Sequence, residues 1–438
     1  MQSTMSLVAA QFARTAPLCL AVLATLVPAQ RVAGQTHKPV PVKIEKQIMI
    51  FPEAVVTEQW PHTLNLVNAP QDLKLLNPGQ CIRLGVVATG DDRDSFLEKT
   101  QLSFRVDFAG QVQDHAVATL AAIKEIKPEG GDFVTAVLNS ANIENPLPSI
   151  ASLGASADGW CVPDDAQDGT ATINAEIDSP KGREKLKTAA IQIESFETGA
   201  RHEFENDKEP NDLVMTYYRQ PNPARLVVLL RRFAVDAKLQ STQGVPESTI
   251  AFIAAALKTN PTAAKDFMAR VSSENGFARA VGLLALRRAG YDTANILEKL
   301  GPQERTKIEN LPQLPDPSDL TGDANSATRL DMSWGEFGAT GALAPLQNVT
   351  RRLAWRADYE DFEKLLKTPN HSTEWTPAIM RAVTYASAGW ALGSFQRTDP
   401  LAADYIEYMI AAPDTPPDIK SELKGLSTNP AFKQGDQK

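Results

Sequence analysis

Asp331 and Glu336 come nearest, by type and setting, to a catalytic pair. They sit in Asp331-Met332-Ser333-Trp334-Gly335-Glu336-Phe337-Gly338-Ala339-Thr340-Gly341. Glycoside hydrolysis needs two carboxylates flanking the scissile bond, and here they stand beside a tryptophan and a glycine-rich break. Residues five apart on a helix point to different faces, so a helix stop with a buried tryptophan accounts for the stretch as well. The histidines, His37, His62, His115, His202 and His371, include no HxxxH or HxH spacing, so a helix-borne zinc site is absent. A GxSxG elbow, a P-loop and a dinucleotide fingerprint are also missing, and no cofactor is implied. Asp164, Asp165 and Asp168 lack the alternating ligands and distant glutamate of a calcium loop and read as turn residues between strands.

Two further residue groups carry possible chemistry. Cys81 and Cys161 remain once a leader containing Cys19 is removed, and in an oxidising compartment they can close one loop. Paired arginines recur at Arg231-Arg232, Arg287-Arg288 and Arg351-Arg352, within or near the ends of apolar helices. Arginines there complement the helix dipole, and on several helices they could form a stripe for an acidic ligand. Trp334, Arg351 and Arg352 are the candidate interaction surface.

Compartment and charge narrow the function classes. Residues 1–34 hold no acid and two basic residues, Arg14 and Arg31. The apolar run from Ala16 to Val27 suits a signal-peptide core and is shorter than the about 20 apolar residues of a membrane span. Cleavage at Ala29 or Gly34 is expected, with a periplasmic or secreted product. Losing both arginines moves the net charge from -9 to -11, and an acidic chain disfavours nucleic acid as a partner.

The elements that must position these residues fall into two kinds. Leu102, Phe104, Val106 and Phe108 alternate with polar residues, and so do Ala171, Ile173, Ala175 and Ile177, the period of half-buried strands. Further strands are expected at 40–44, 63–67, 80–88, 116–123, 133–138 and 186–193, separated by turns such as Asn77-Pro78-Gly79 and Asp168-Gly169. Asn77-Pro78-Gly79-Gln80-Cys81-Ile82-Arg83-Leu84 resembles the turn and second strand of an immunoglobulin-like or fibronectin-like module. Asp165 to Ile173 resembles the corner leading into its sixth strand, although no tyrosine stands there and Cys161 precedes the strand. The resemblance implies a β-sandwich over 38–200 and no particular activity.

From Asn222 onward the apolar spacing turns helical. Leu226, Leu229, Leu230 and Phe233 share one face, as do Ile250, Ile253, Ala254 and Leu257, then Ala264, Phe267, Met268 and Val271, then Phe277, Ala280, Val281 and Leu284. Asn-Pro pairs at Asn222 and Asn260 read as starts and Gly290 as a stop. Short connections predict antiparallel neighbours, stacked as repeat-like helical hairpins. The expected plan is therefore a leader at 1–34, an immunoglobulin-like β-sandwich at 38–200, a polar linker at 201–221 and a helical subdomain at 222–310. An exposed Pro/Asp-rich loop at 311–327, a second helical subdomain at 328–428 and a disordered tail at 429–438 complete it. The expected function is non-catalytic binding or scaffolding, with the helical domain as a protein or peptide surface. The competing expectation is a hydrolase of envelope or extracellular polysaccharide using Asp331 and Glu336.

Overall fold

The computed structural model describes residues 45–52, 73–89, 101–122, 136–139, 160–179, 182–206, 208–235, 247–274, 276–310, 314–368 and 375–432. The expected leader and the strands at 40–44 and 63–67 lie outside these residues. Helices make up most of the described chain, and the strands are confined to its N-terminal part. The chain divides into two compact units, Met1–His62 with Pro70–Val245 and Asn260–Arg279, and Thr63–Ala69 with Pro246–Thr259 and Ala280–Lys438.

The first unit holds the strands. β1 (Glu45–Pro52), β3 (Cys81–Thr89) and β7 (Trp160–Cys161) form one sheet in the order β1-β3-β7. The second sheet runs β2-β10-β8-β4-β5-β6, where β2 is Leu75–Leu76, β4 Gln101–Phe108, β5 Gln111–Ala122, β6 Ala136–Asn139, β8 Gly169–Ser179 and β10 Ala189–Ile193. β9 (Gly182–Lys185) pairs with β8. The β2–β10 pair is parallel, and the other neighbours are antiparallel. Alternation does what period two predicts: Ala171, Ile173 and Ala175 turn inward, as do Ile191 and Ile193. They share one core with Val106, Ile82 and Trp160, so side chains of both sheets meet there. The β4–β5 hairpin turns through Ala109 and Gly110, with φ of 53° and 77°. Positive φ at both central positions matches the twist of the flanking strands.

Three helices of this unit follow: α1 (Phe196–Gly199), α2 (Lys208–Thr216) and α3 (Ala224–Val235). The expected polar linker is thus ordered for much of its length, and the 3₁₀ turn Tyr217–Arg219 buries Tyr217 and Tyr218. α5 (Pro261–Ser273) starts as the Asn-Pro signal predicts, with the Asn260 side chain accepting from the Ala263 N–H at 3.0 Å. α3 packs on α5 and α1.

The second unit is helical. It contains α4 (Glu247–Lys258), most of α6 (Gly276–Arg288), α7 (Ala294–Leu297), α8 (Pro302–Glu309), α9 (Ser326–Thr340) and α10 (Leu343–Arg351). α11 (Arg356–Leu366), α12 (Pro377–Thr398), α13 (Pro400–Ala411) and α14 (Pro417–Lys424) complete it. Thr376 and Asp399 cap α12 and α13 with their side chains, and Gly290, at φ 92°, follows the end of α6. Neighbours such as α9 with α10 and α11 with α12 pack on each other, but α4 departs from the expected consecutive hairpins and packs closely on α9, a distant element in sequence. The reason is burial on more than one face. Besides the expected stripe, Ala251, Phe252 and Ala256 are fully enclosed. Each of Ile250, Phe252, Ile253 and Leu257 stabilises the fold by about 2 kcal/mol through burial.

The Pro/Asp-rich loop also differs from expectation, because two buried arginines hold it down. Arg329 of α9 donates to Asp323 at 2.6 and 3.2 Å and to the Thr321 carbonyl at 3.2 Å, and pairs with Asp319 at 2.7 Å. Arg352 donates to the Pro317 carbonyl at 2.8 Å. The start of the expected disordered tail is ordered too. Pro430–Phe432 forms a 3₁₀ turn with Phe432 buried.

Candidate functional site

Asp331 and Glu336 both lie on α9 and part company there. Glu336 accepts from Arg288 of α6 at 2.8 Å. Asp331 instead feels the charge of Glu247, in the first turn of α4. Gly335, one turn further along α9, has no side chain, and a Cβ there would collide with the Ser248 carbonyl. That close approach brings the Glu247 end of α4 against the Asp331 face. Burial, and then the Glu247 charge, push the Asp331 carboxyl up to about 7. Burial likewise raises Glu247. A carboxyl raised to about 7 by burial and a neighbouring carboxylate has the acid–base character of a proton donor. The carboxylate whose charge acts on Asp331 is therefore Glu247. Sequence spacing could not show this, because the two are 84 positions apart and meet only through the α4–α9 contact.

Trp334 belongs to the interior. It is 7% exposed and stacks on Phe395 with ring centroids 4.3 Å apart, while Phe337 meets both rings edge-on. Arg352 is also interior, at 0% exposure, and burial followed by the charge of Arg329 pulls it down to about 10. Of the three residues expected to form an interaction surface, only Arg351 reaches solvent. The other two are corrected to core positions, since their apolar and hydrogen-bonded surroundings enclose them.

The acidic turns do local work. Asp316, Asp319 and Asp323 accept from the N–H groups of Ser318, Thr321 and Asn325 at 2.9, 2.8 and 2.8 Å. These bonds and the nearby arginines hold all three below the usual carboxylate range, the largest cause being the backbone N–H of Ser318 for Asp316, the Thr321 hydroxyl for Asp319 and Arg329 for Asp323. In the first unit Asp168 accepts from the Ser195 N–H and the Thr198 hydroxyl, which lower it in that order. Asp164 accepts from the Thr262 hydroxyl at 2.8 Å. Among the described residues no group of three His, Cys, Asp or Glu side chains is placed to hold a metal. Cys81 and Cys161 face each other on β3 and β7 with their sulfurs at disulfide distance, 1.93 Å.

A cleft of about 390 Å³ opens in the first unit between α2, the 3₁₀ turn and the start of α3. Phe204, Asp212, Leu213, Arg219 and Gln220 are among its walls. Arg225 forms a corner: it lies over the Phe204 ring at 4.3 Å, pairs with Glu209 at 3.3 Å and donates to the His202 carbonyl. Residues 201–221 read in sequence as polar linker, which gives no sign of a cleft. The buried pair Tyr217-Tyr218 was the signal that the segment packs. No known protein family, curated protein or solved structure matches the chain.

Proposed function

We propose that this is an exported, non-catalytic binding protein that takes peptide or protein partners on its helical region. The observation that carries the reading is the cleft. It combines an aromatic face, an aliphatic wall and polar groups of both signs, which suits orienting a peptide. Its Arg225–Glu209 pair is already satisfied internally, an arrangement for recognition more than for proton transfer. Export is supported by the apolar N-terminal run and by the cysteine pair at disulfide distance. Among the described residues no helix is long and apolar enough to cross a membrane.

An immunoglobulin-like assignment of the β part draws support from strand order. β1-β3-β7 corresponds to A-B-E of that fold and β10-β8-β4-β5 to G-F-C-C′. The cysteines depart from the pattern, since they join neighbouring strands of one sheet instead of bridging two sheets.

The test is selection of short peptides from a random library on the intact chain, followed by Asp212→Lys and Leu213→Arg in the cleft wall. Binding should fall about tenfold or more in each variant, as for residues central to an interface. Selection of nothing above background, or of peptides indifferent to both changes, would sink the reading. A second reading, hydrolysis of envelope polysaccharide, would use Asp331 as proton donor, beside the close α4–α9 contact at Gly335 where burial and the Glu247 charge raise its carboxyl. Release of reducing ends from envelope glycan, lost in Asp331→Asn, would favour it.

A further inference from the structure

The second unit contains a built notch filled by the chain's own residues 429–432. Gly389 lies in the middle of α12, where glycine disfavours a helix. A Cβ at that position would collide with the Phe432 ring. Phe432 is 3% exposed and its ring lies 5.3 Å from that of Tyr385, which in turn stands 5.2 Å from Tyr359. Beside this aromatic slot is a polar point. Glu422, 3% exposed, accepts from the Tyr385 hydroxyl at 2.6 Å and from Arg356 at 2.7 Å. Its remaining bond comes from the Asn429 side-chain amide at 3.2 Å, and the same amide lies 3.2 Å from the Tyr385 oxygen. Asn429 also accepts from the Ala431 N–H at 3.0 Å, which sets the turn that carries Phe432 into the slot.

Recognition thus has two points at a fixed spacing: a side-chain amide donating to a buried carboxylate, and an aromatic ring three residues later over a helical glycine. We propose that this notch is a docking site for a linear peptide with that pattern, held shut by the chain's own Asn429-Pro430-Ala431-Phe432. The occupant chemistry is read from the segment seated there, whose amide and ring meet complementary groups. A tethered segment competes at an effective concentration on the order of millimolar, so an outside peptide must displace it. The inference extends the binding reading to a second site and rests on it only for the class of partner. Variants of the notch leave the cleft residues untouched, so the two can fail separately.

The probe is a fluorescent peptide of residues 427–434, Ser-Thr-Asn-Pro-Ala-Phe-Lys-Gln, titrated by anisotropy into the full chain and its Phe432→Ala variant. With the tether weakened, affinity should rise about tenfold or more over the intact chain. Replacing either Asn or Phe in the peptide, or adding Gly389→Ala to the variant, should abolish binding. Equal affinity for both chains, or binding indifferent to the peptide's Phe, overturns the proposal. If Phe432→Ala fails to fold, hydrogen exchange on the intact chain replaces it: millimolar peptide should speed exchange at 431–432, and unchanged exchange overturns it. A dimer of the intact chain that dissociates in Phe432→Ala would make the occupant a second copy and overturn the peptide-partner assignment.

Discussion

Replacing Asp331 with Asn should stabilise the second unit at alkaline pH and leave it unchanged in acid. The carboxyl is raised from 3.8 to about 7 in the folded chain, by burial first and Glu247 second. A raised carboxyl favours folding fully below pH 3.8, where it is protonated in both states, and that contribution is lost as pH climbs through 7. At about 1.4 kcal/mol per unit the ceiling is about 4 kcal/mol, and solvent reaching the half-buried group reduces it to about 2 kcal/mol. Asn mimics the protonated acid in shape and cannot ionise, so the variant should keep this stability at pH 8. Urea denaturation of parent and variant at pH 5 and pH 8 measures the difference, with hydrogen exchange of α4 and α9 amides locating it. Comparing the two proteins cancels titrations elsewhere in the chain. Glu247→Gln should give part of the effect, and the double variant less than the sum, since each removes the other's repulsion. A variant that loses as much stability as the parent between the two pH values would refute the reasoning, and so would one less stable at pH 8.

Four other outcomes follow from the packing. Cys81→Ser opens a loop closed by cysteines 80 positions apart, and the loop-entropy relation puts the loss at about 4.5 kcal/mol; urea midpoints with and without reductant should show it in the parent only. Arg329→Met leaves Asp319 and Asp323, whose carboxylates reach solvent, without their guanidinium and should cost about 1 kcal/mol. Protease cutting between 314 and 325 should then appear, and an uncut loop would show that Arg329 is not what holds it. Gly335→Ala forces α9 off the Ser248 carbonyl and should cost about 2 kcal/mol, whereas Gly393→Ala on α12, with its nearest contact at 3.6 Å, should be neutral or stabilising in thermal melts.

What could be read from the letters was the local part of the fold. Period two located β4 and β8, and the Asn-Pro signal at Asn260 opened a helix where expected. These signals act over a few residues, so they survive without tertiary context. Pairings set by distant surfaces were not legible. The two residues of β7 are too few to show a period, yet Trp160 and Cys161 pair with β3. α4 appeared to have one stripe because alanine is small enough to be silent in a pattern, and its other faces were revealed only by burial of Ala251 and Ala256.

The candidate site shows the same division more sharply, through charge. Asp331 and Glu336 read as a pair because they are near each other in sequence, and α9 sends them to different surroundings. The carboxyl that acts on Asp331 comes from α4, and the letter that permits the close approach of the two helices is Gly335, which in sequence reads as part of a glycine-rich break. The buried arginines carry the same lesson. Arg351 and Arg352 are identical neighbours in the text, yet one reaches solvent and the other is enclosed, because a one-residue step turns a helical side chain by about 100°. The enclosed one is tolerated since the carbonyls of Pro317 and Asn348 accept from it. A loop rich in proline and aspartate then becomes an ordered cover, its carboxylates answering a guanidinium from the helix beneath. Function in this chain is accordingly sought where polar groups converge after folding, at the cleft by Phe204 and the notch at Gly389.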